Sequence, residues 1–200
     1  MFTNPSQSYL IFEGRLTKAD NSSYANADEF ALTNIVIMHI FSRIEYHLSN
    51  QLIVSLNYPG QATTMNGMLK YPDDFSKTQG LNQSGYIDSA TTTEKADNNG
   101  FAARLAYLVE SPIVKCTFSF RIPMRHVIGF CEDYDIIVYG LKHSLTLFRK
   151  TDDDAIFRGA IAGAGKVSLD IMAWLLPHVI PVMPNSFTFT RLSNQKLRYH

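Results

Sequence analysis

Residues 37–56 read IMHIFSRIEYHLSNQLIVSL. Ile44, Tyr46 and Leu48 share one parity, and Arg43, Glu45 and His47 share the other. Successive strand side chains point to opposite faces, so this pattern is a strand with one buried and one polar face. Ser49-Asn50-Gln51 interrupts it, and LIVSL follows at 52–56. A short polar turn between apolar runs is the hairpin arrangement. A period of two, not 3.6, therefore sets the fold class.

The same period recurs on both sides. Residues 8–18 (SYLIFEGRLTK) predict a strand, 19–29 a polar loop, and FALTN at 30–34 another strand. Downstream, FAARLAYLVE (101–110), IVKCTFSFRIP (113–123), HVIGF (126–130), DIIVYG (135–140) and KHSLTLFRK (142–150) are read as strands. Pro112, Pro123, Gly129 and Gly140 bound them. Leu145 and Leu147 are expected inward, with Lys142, Ser144 and Thr146 outward. Residues 155–158, 166–174 (KVSLDIMAW) and 187–192 (FTFTRL) predict three more strands, with the Ala/Gly-rich AIAGAG between the first two. Pro177, Pro181 and Pro184 exclude a long helix over 175–187.

Eight or more short strands predict an all-β fold, a jelly-roll β-sandwich, as a single domain over 1–200. One stretch departs from it. Residues 57–100 are rich in turn formers and form one long, partly helical excursion. Within it, QATTMNGMLKY (61–71) predicts a short helix with Ala62, Met65, Met68 and Leu69 on one face. A connection this long is uncommon in a compact domain unless it has work to do. It carries Tyr58, Met65, Met68, Leu69, Tyr71, Phe75, Leu81 and Tyr86. A loop at the end of a sandwich covers such groups only in part. The eight are therefore the candidate subunit-interface residues, with a neighbouring copy in closed cyclic symmetry as the expected cover.

Composition agrees with assembly. Charged residues are 18% of the 200, against roughly 25% in ordinary globular domains, and hydrophobic residues are 46%. Lysine plus arginine equals aspartate plus glutamate, 18 each, so no net field steers the chain onto nucleic acid or anionic lipid. Zero net charge also weakens repulsion between copies. Cys116 and Cys131 are too few for a disulfide framework and sit in apolar surroundings, so both are expected to be buried free thiols in a reducing compartment or a virion. The N-terminus lacks the pattern of a secretory signal, and no apolar run is long enough to span a membrane. The chain is thus expected to be neither secreted nor transmembrane.

No catalytic or cofactor site is read. GAIAGAGKVS fails as a phosphate-binding loop, because Ala160 stands where the first glycine should be and Val167 where the hydroxyl should be. No two histidines stand two apart on one strand, and His39 and His47 are eight apart, roughly 26 Å along an extended strand. Asp152-Asp153-Asp154 reads as a solvated loop run, and Glu132, Asp133 and Asp135 as turn or cap acids. Cofactors and metals are expected to be none.

A family resemblance adds to this reading. Phe41-Ser-x-Ile44 on the first decisive strand is followed by Tyr58-Pro59 and Leu69-Lys70-Tyr71. Then come Asn98-x-Gly100-x-x-x-Arg104, Phe120-x-Ile122-Pro123 and Asp153-x-Ala155-Ile156. In this order, over about residues 8–184, the chain resembles the double-jelly-roll capsid-type proteins of Polinton (Maverick) elements and of virophage-like and adintovirus-like agents. The resemblance implies a jelly-roll fold, trimeric self-assembly with other capsid subunits, and no enzymatic activity. At about half the length of a double jelly roll, the chain is expected to be a single jelly roll or a truncated copy. Two other readings stand beside it. One is a domesticated genomic copy acting as a soluble β-sandwich binding module, and flanking reading frames separate it from a capsid. The other is a cupin-type enzyme, which stoichiometric metal would reveal.

Overall fold

The computed structural model describes residues 2–25, 30–89, 98–109, 116–158 and 165–180. In chain order these form β1 (Phe2–Thr3), β2 (Tyr9–Lys18), β3 (Phe30–Leu32), α1 (Val36–His39), β4 (Phe41–Leu48), β5 (Gln51–Asn57), α2 (Pro59–Lys70) and α3 (Asn99–Val109). There follow β6 (Thr117–Pro123), α4 (Gly129–Asp133), β7 (Val138–Tyr139), β8 (His143–Arg149), β9 (Ile156–Arg158), β10 (Gly165–Leu175) and β11 (His178–Val179). All strand pairs are antiparallel. The orders are β10-β2-β6, β5-β4-β8, β3-β9 and β11-β1-β7.

The first two sheets face each other across the core, which makes the chain a jelly-roll β-sandwich. β2 sends Leu10, Phe12 and Leu16 inward, β6 sends Phe118, Phe120 and Ile122, and β4 sends Ile44, Tyr46 and Leu48. Rings join the layers: Phe12 and Phe41 lie 5.9 Å apart, and Trp174 meets Tyr46 edge-on at 6.1 Å. Phe41 breaks the parity of β4 yet is buried. The reason is a register shift between Phe41 and Arg43 in the pairing with β8, and a bulge turns the preceding side chain to the same face. A second shift lies between Leu169 and Ile171 of β10. Opposite it stands Gly14, where a Cβ would lie 2.1 Å from the Ser168 carbonyl oxygen, so only glycine fits.

The N-terminal strand is tied down by a hydrogen-bond relay. Thr3 Oγ1 donates to Val138 O (3.2 Å), so it accepts from His143 Nε2–H (2.7 Å). That leaves His143 Nδ1 as acceptor for the Tyr46 hydroxyl at 2.8 Å. Burial lowers the His143 imidazole and raises the Tyr46 hydroxyl, each away from its usual range.

Three of the expected strands are not strands. Residues 99–109 are helical: Phe101, Arg104, Leu105 and Leu108 recur at the spacing of one helix face and are buried, and Ala102, Ala103 and Ala106 favour the helix. HVIGF divides between the 3-10 turn Met124–His126 and α4, and of DIIVYG only Val138–Tyr139 pairs. IMHI belongs mostly to α1, so the decisive strand starts at Phe41. The expected strand at 187–192, the connector 160–164, and residues 90–97 of the excursion lie outside the described residues.

In the acidic run Asp153 and Asp154 are exposed, as expected of a solvated loop, and Asp152 is half-buried. Asp152 accepts from Val167 N (2.9 Å) and from Arg149 Nη2 (2.6 Å), and Asp154 from Lys150 (2.5 Å). Asp152 thereby docks the turn Asp152–Asp154 onto β10. Cys116 and Cys131 are free and buried. No helix among the described residues is long and apolar enough to cross a membrane.

Candidate subunit interface

α2 begins abruptly. Tyr58 is left-handed (φ 50°, ψ 56°), and Pro59 follows in the first turn, where its missing N–H needs no partner. Pro59, Gly60 and Thr63 are buried. A Cβ at Gly60 would lie 2.6 Å from the His39 ring, so the bare backbone is what lets α2 seat on α1. Thr63 and Thr64 donate back to Pro59 O and Gly60 O, both at 2.8 Å, which satisfies their hydroxyls within the helix. The helix thus docks through its small residues.

Its large residues point the other way. Met65, Met68 and Leu69 are 65%, 81% and 83% exposed. A surface helix normally buries its apolar stripe and shows polar groups. α2 does the reverse. Tyr58 and Leu81 are exposed as well.

Tyr71, Phe75 and Tyr86, the other three expected interface residues, are half-buried and anchor the excursion to its own domain. Tyr71 stacks on Phe75 at 3.8 Å and lies 5.2 Å from His126. Burial, with the Glu132 carboxylate adding to it, pushes the Tyr71 hydroxyl up to about 12. Burial, helped by Arg125, lowers the His126 imidazole to about 4. Gln83 Nε2 donates to His126 Nδ1 at 3.0 Å, and Lys70 Nζ meets both oxygens of Glu132 at 2.9 Å.

The returning limb is stitched to β3 and α3. Asn34 pairs with the Tyr86 backbone through both its amide atoms (Nδ2 to O 2.5 Å, Oδ1 from N 2.9 Å). Ile35 N donates to Ser84 O at 3.2 Å, and Ile35 itself is left-handed (φ 53°), a conformation a β-branched residue keeps only where neighbours impose it. Arg104, buried, donates from Nε to Leu32 O at 2.8 Å and pairs with Asp88. A Cβ at Gly100 would lie 2.4 Å from Asp88 Oδ1. Asn98 Oδ1 accepts from Phe101 N at 3.0 Å and from Ser89 N at 3.4 Å. Asn98, Gly100 and Arg104 therefore form one clip that holds residues 87–89.

Sequence reading missed Asn34, Gln83, Asp88 and His126 as anchors. Of the clip, Asn98, Gly100 and Arg104 stand in the sequence as the Asn-x-Gly-x-x-x-Arg step of the family resemblance. The remaining geometry offers little chemistry. A groove of about 800 Å³ runs over the outer face of β2 and β6 beside α3. Its Glu13 accepts from Ser119 and its Asp170 is engaged by Arg15. Among the described residues, no group of three or more His, Cys, Asp or Glu is placed to hold a metal ion.

A family model of the double jelly roll-like domain matches residues 30–196. The chain belongs to the double jelly roll-like domain family. Because the match runs from β3 past β11, α2, α3 and the clip lie inside the double jelly roll-like domain rather than being additions to it. A search of the curated proteins finds no match.

Proposed function

We propose that this double jelly roll-like domain is a non-enzymatic shell subunit of the Polinton, virophage-like or adintovirus-like capsid kind. It assembles with copies of itself as a homotrimer and with other capsid subunits. The supporting observation is the inverted helix. Met65, Met68 and Leu69 stand in water on a helix whose small side is already seated. Burying each is worth about 1.5–3 kcal/mol, and a neighbouring subunit is the cover that supplies it. Methionine suits such a surface because its flexible thioether fits an irregular partner. Tyr58 and Leu81 widen the exposed apolar area, whereas Tyr71, Phe75 and Tyr86 contribute by holding the excursion in place. Negative-stain electron microscopy of the concentrated chain tests the reading. Threefold particles, or shells in the presence of companion capsid subunits, are expected. A field of single-domain particles at every concentration would contradict it.

A further inference from the structure

Where the N-terminal turn Pro5–Gln7, the end of β6 and the excursion meet, they form an open pocket of about 400 Å³. Its lining contains two arginines and no carboxylate. Arg121 projects from the outer face of β6, with its guanidinium 5.9 Å from the centre of the Tyr9 ring. Arg125 follows on the 3-10 turn after β6. Neither is in an ion pair among the described residues, whereas Arg15 on the neighbouring strand is held by Asp170. Gln7, Gln79 and Asn82 add amide groups, all exposed at the rim. Each guanidinium presents five N–H donors in a planar fork suited to oxyanions. Asp135 reaches the lining only through Ser6 Oγ at 3.3 Å. Of the acids in the adjoining pocket that Arg125 also lines, Asp74 and Glu132, the latter is held by Lys70.

We infer that this pocket binds a small phosphate-bearing anion, with Arg121 and Arg125 as its two forks and the amides of Gln7, Gln79 and Asn82 around it. Two guanidinium forks suit a group with more than one phosphate better than a single ion. Gln79 and Asn82 belong to the excursion, and Gln7 to the N-terminal turn. Occupancy would therefore tie the excursion to the N-terminal turn and to the end of β6. The site stands independently of the shell reading.

The test titrates the full chain with phosphate, pyrophosphate and tripolyphosphate by calorimetry at fixed ionic strength. Saturable one-to-one binding of pyrophosphate is expected, weakened at least tenfold by Arg121→Gln and by Arg125→Gln and unchanged by Arg15→Gln. Pyrophosphate should also protect Arg121 and Arg125, but not Arg15, from phenylglyoxal in the unaltered chain, a readout that needs no variant to fold. Unsaturable binding, equal weakening by Arg15→Gln, or no selective protection would overturn the site. So would a short oligothymidylate that binds more tightly than pyrophosphate, because a phosphodiester strand would then be the ligand.

Discussion

Arg104 and Asp88 meet at two points: Nη2 donates to Oδ2 at 3.2 Å, and Nη1 lies 2.9 Å from Oδ1 as an ion-pair contact without hydrogen-bond alignment. The arginine side chain is 6% exposed and the aspartate 38%. Because Arg104 Nε also holds Leu32 O, removing the arginine orphans a buried carbonyl as well as a carboxylate. Arg104→Ala is expected to cost about 2–3 kcal/mol, below the full value for a buried pair because Asp88 is partly solvated. Asp88→Asn should cost less than half as much. Urea unfolding of the two variants checks the order, and equal costs would contradict it.

Gly14 makes the second prediction. The carbonyl of Ser168 occupies the place of its absent Cβ, at 2.1 Å. Gly14→Ala must move the bulge of β10 or break its pairing, at a cost of about 1–3 kcal/mol. Gly129→Ala, where a Cβ meets nothing within 4 Å, is the control and should be close to neutral. Thermal melts of both variants decide the matter.

The histidines set a pH dependence. Burial is the first cause of the lowered values of His39, His126 and His143. The unfolded chain takes up these protons near 6.5 while the folded chain resists, to about 4 at His126. Their contribution to stability is therefore intact above about 6.5 and is lost as pH falls through the lower folded values. The melting temperature should be flat from pH 8 to 7 and decline below 6.5. His126→Gln should flatten that decline, and an unchanged slope would contradict the assignment.

Cys131 gives a chemical check. It is fully buried, and burial pushes its thiol up to about 12. Cys116 is buried too, beside the Phe118 strand. Both should react with a thiol reagent only at the rate of unfolding. Stoichiometric labelling of the native chain within minutes would contradict the burial of these groups.

The sandwich was legible wherever one face of a strand is wet. β2, β6, β8 and β4 from Ile44 onward each alternate, and that alternation alone marks them as strands, whereas the start of β4 is hidden by the apolar IMHI that belongs mostly to α1. α3 resembles a strand because its apolar residues crowd together, but Phe101, Leu105 and Leu108 stand four and three apart, which is the spacing of a helix face. Short elements such as α1 and α4, four and five residues long, are too brief to show any period. In the excursion, the exposed row Met65, Met68 and Leu69 was legible from helical spacing. Its anchors were not, because they join residues far apart in the chain. Asn34 and Tyr86 are 52 residues apart, and Lys70 and Glu132 are 62. Tyr71, Phe75 and Tyr86 look like contact residues in sequence, but their rings and backbone are used within the domain.

The central claim is that a second copy covers the outward face of α2. The direct measurement is sedimentation equilibrium of the full chain beside Met65→Ser/Met68→Ser/Leu69→Ser, in which the anchoring residues 71–89 are left intact. The account predicts a trimer for the unaltered chain and a folded monomer, with the same circular dichroism, for the triple variant. An unaltered chain that stays monomeric at high micromolar concentration, or a triple variant that stays trimeric, would contradict it.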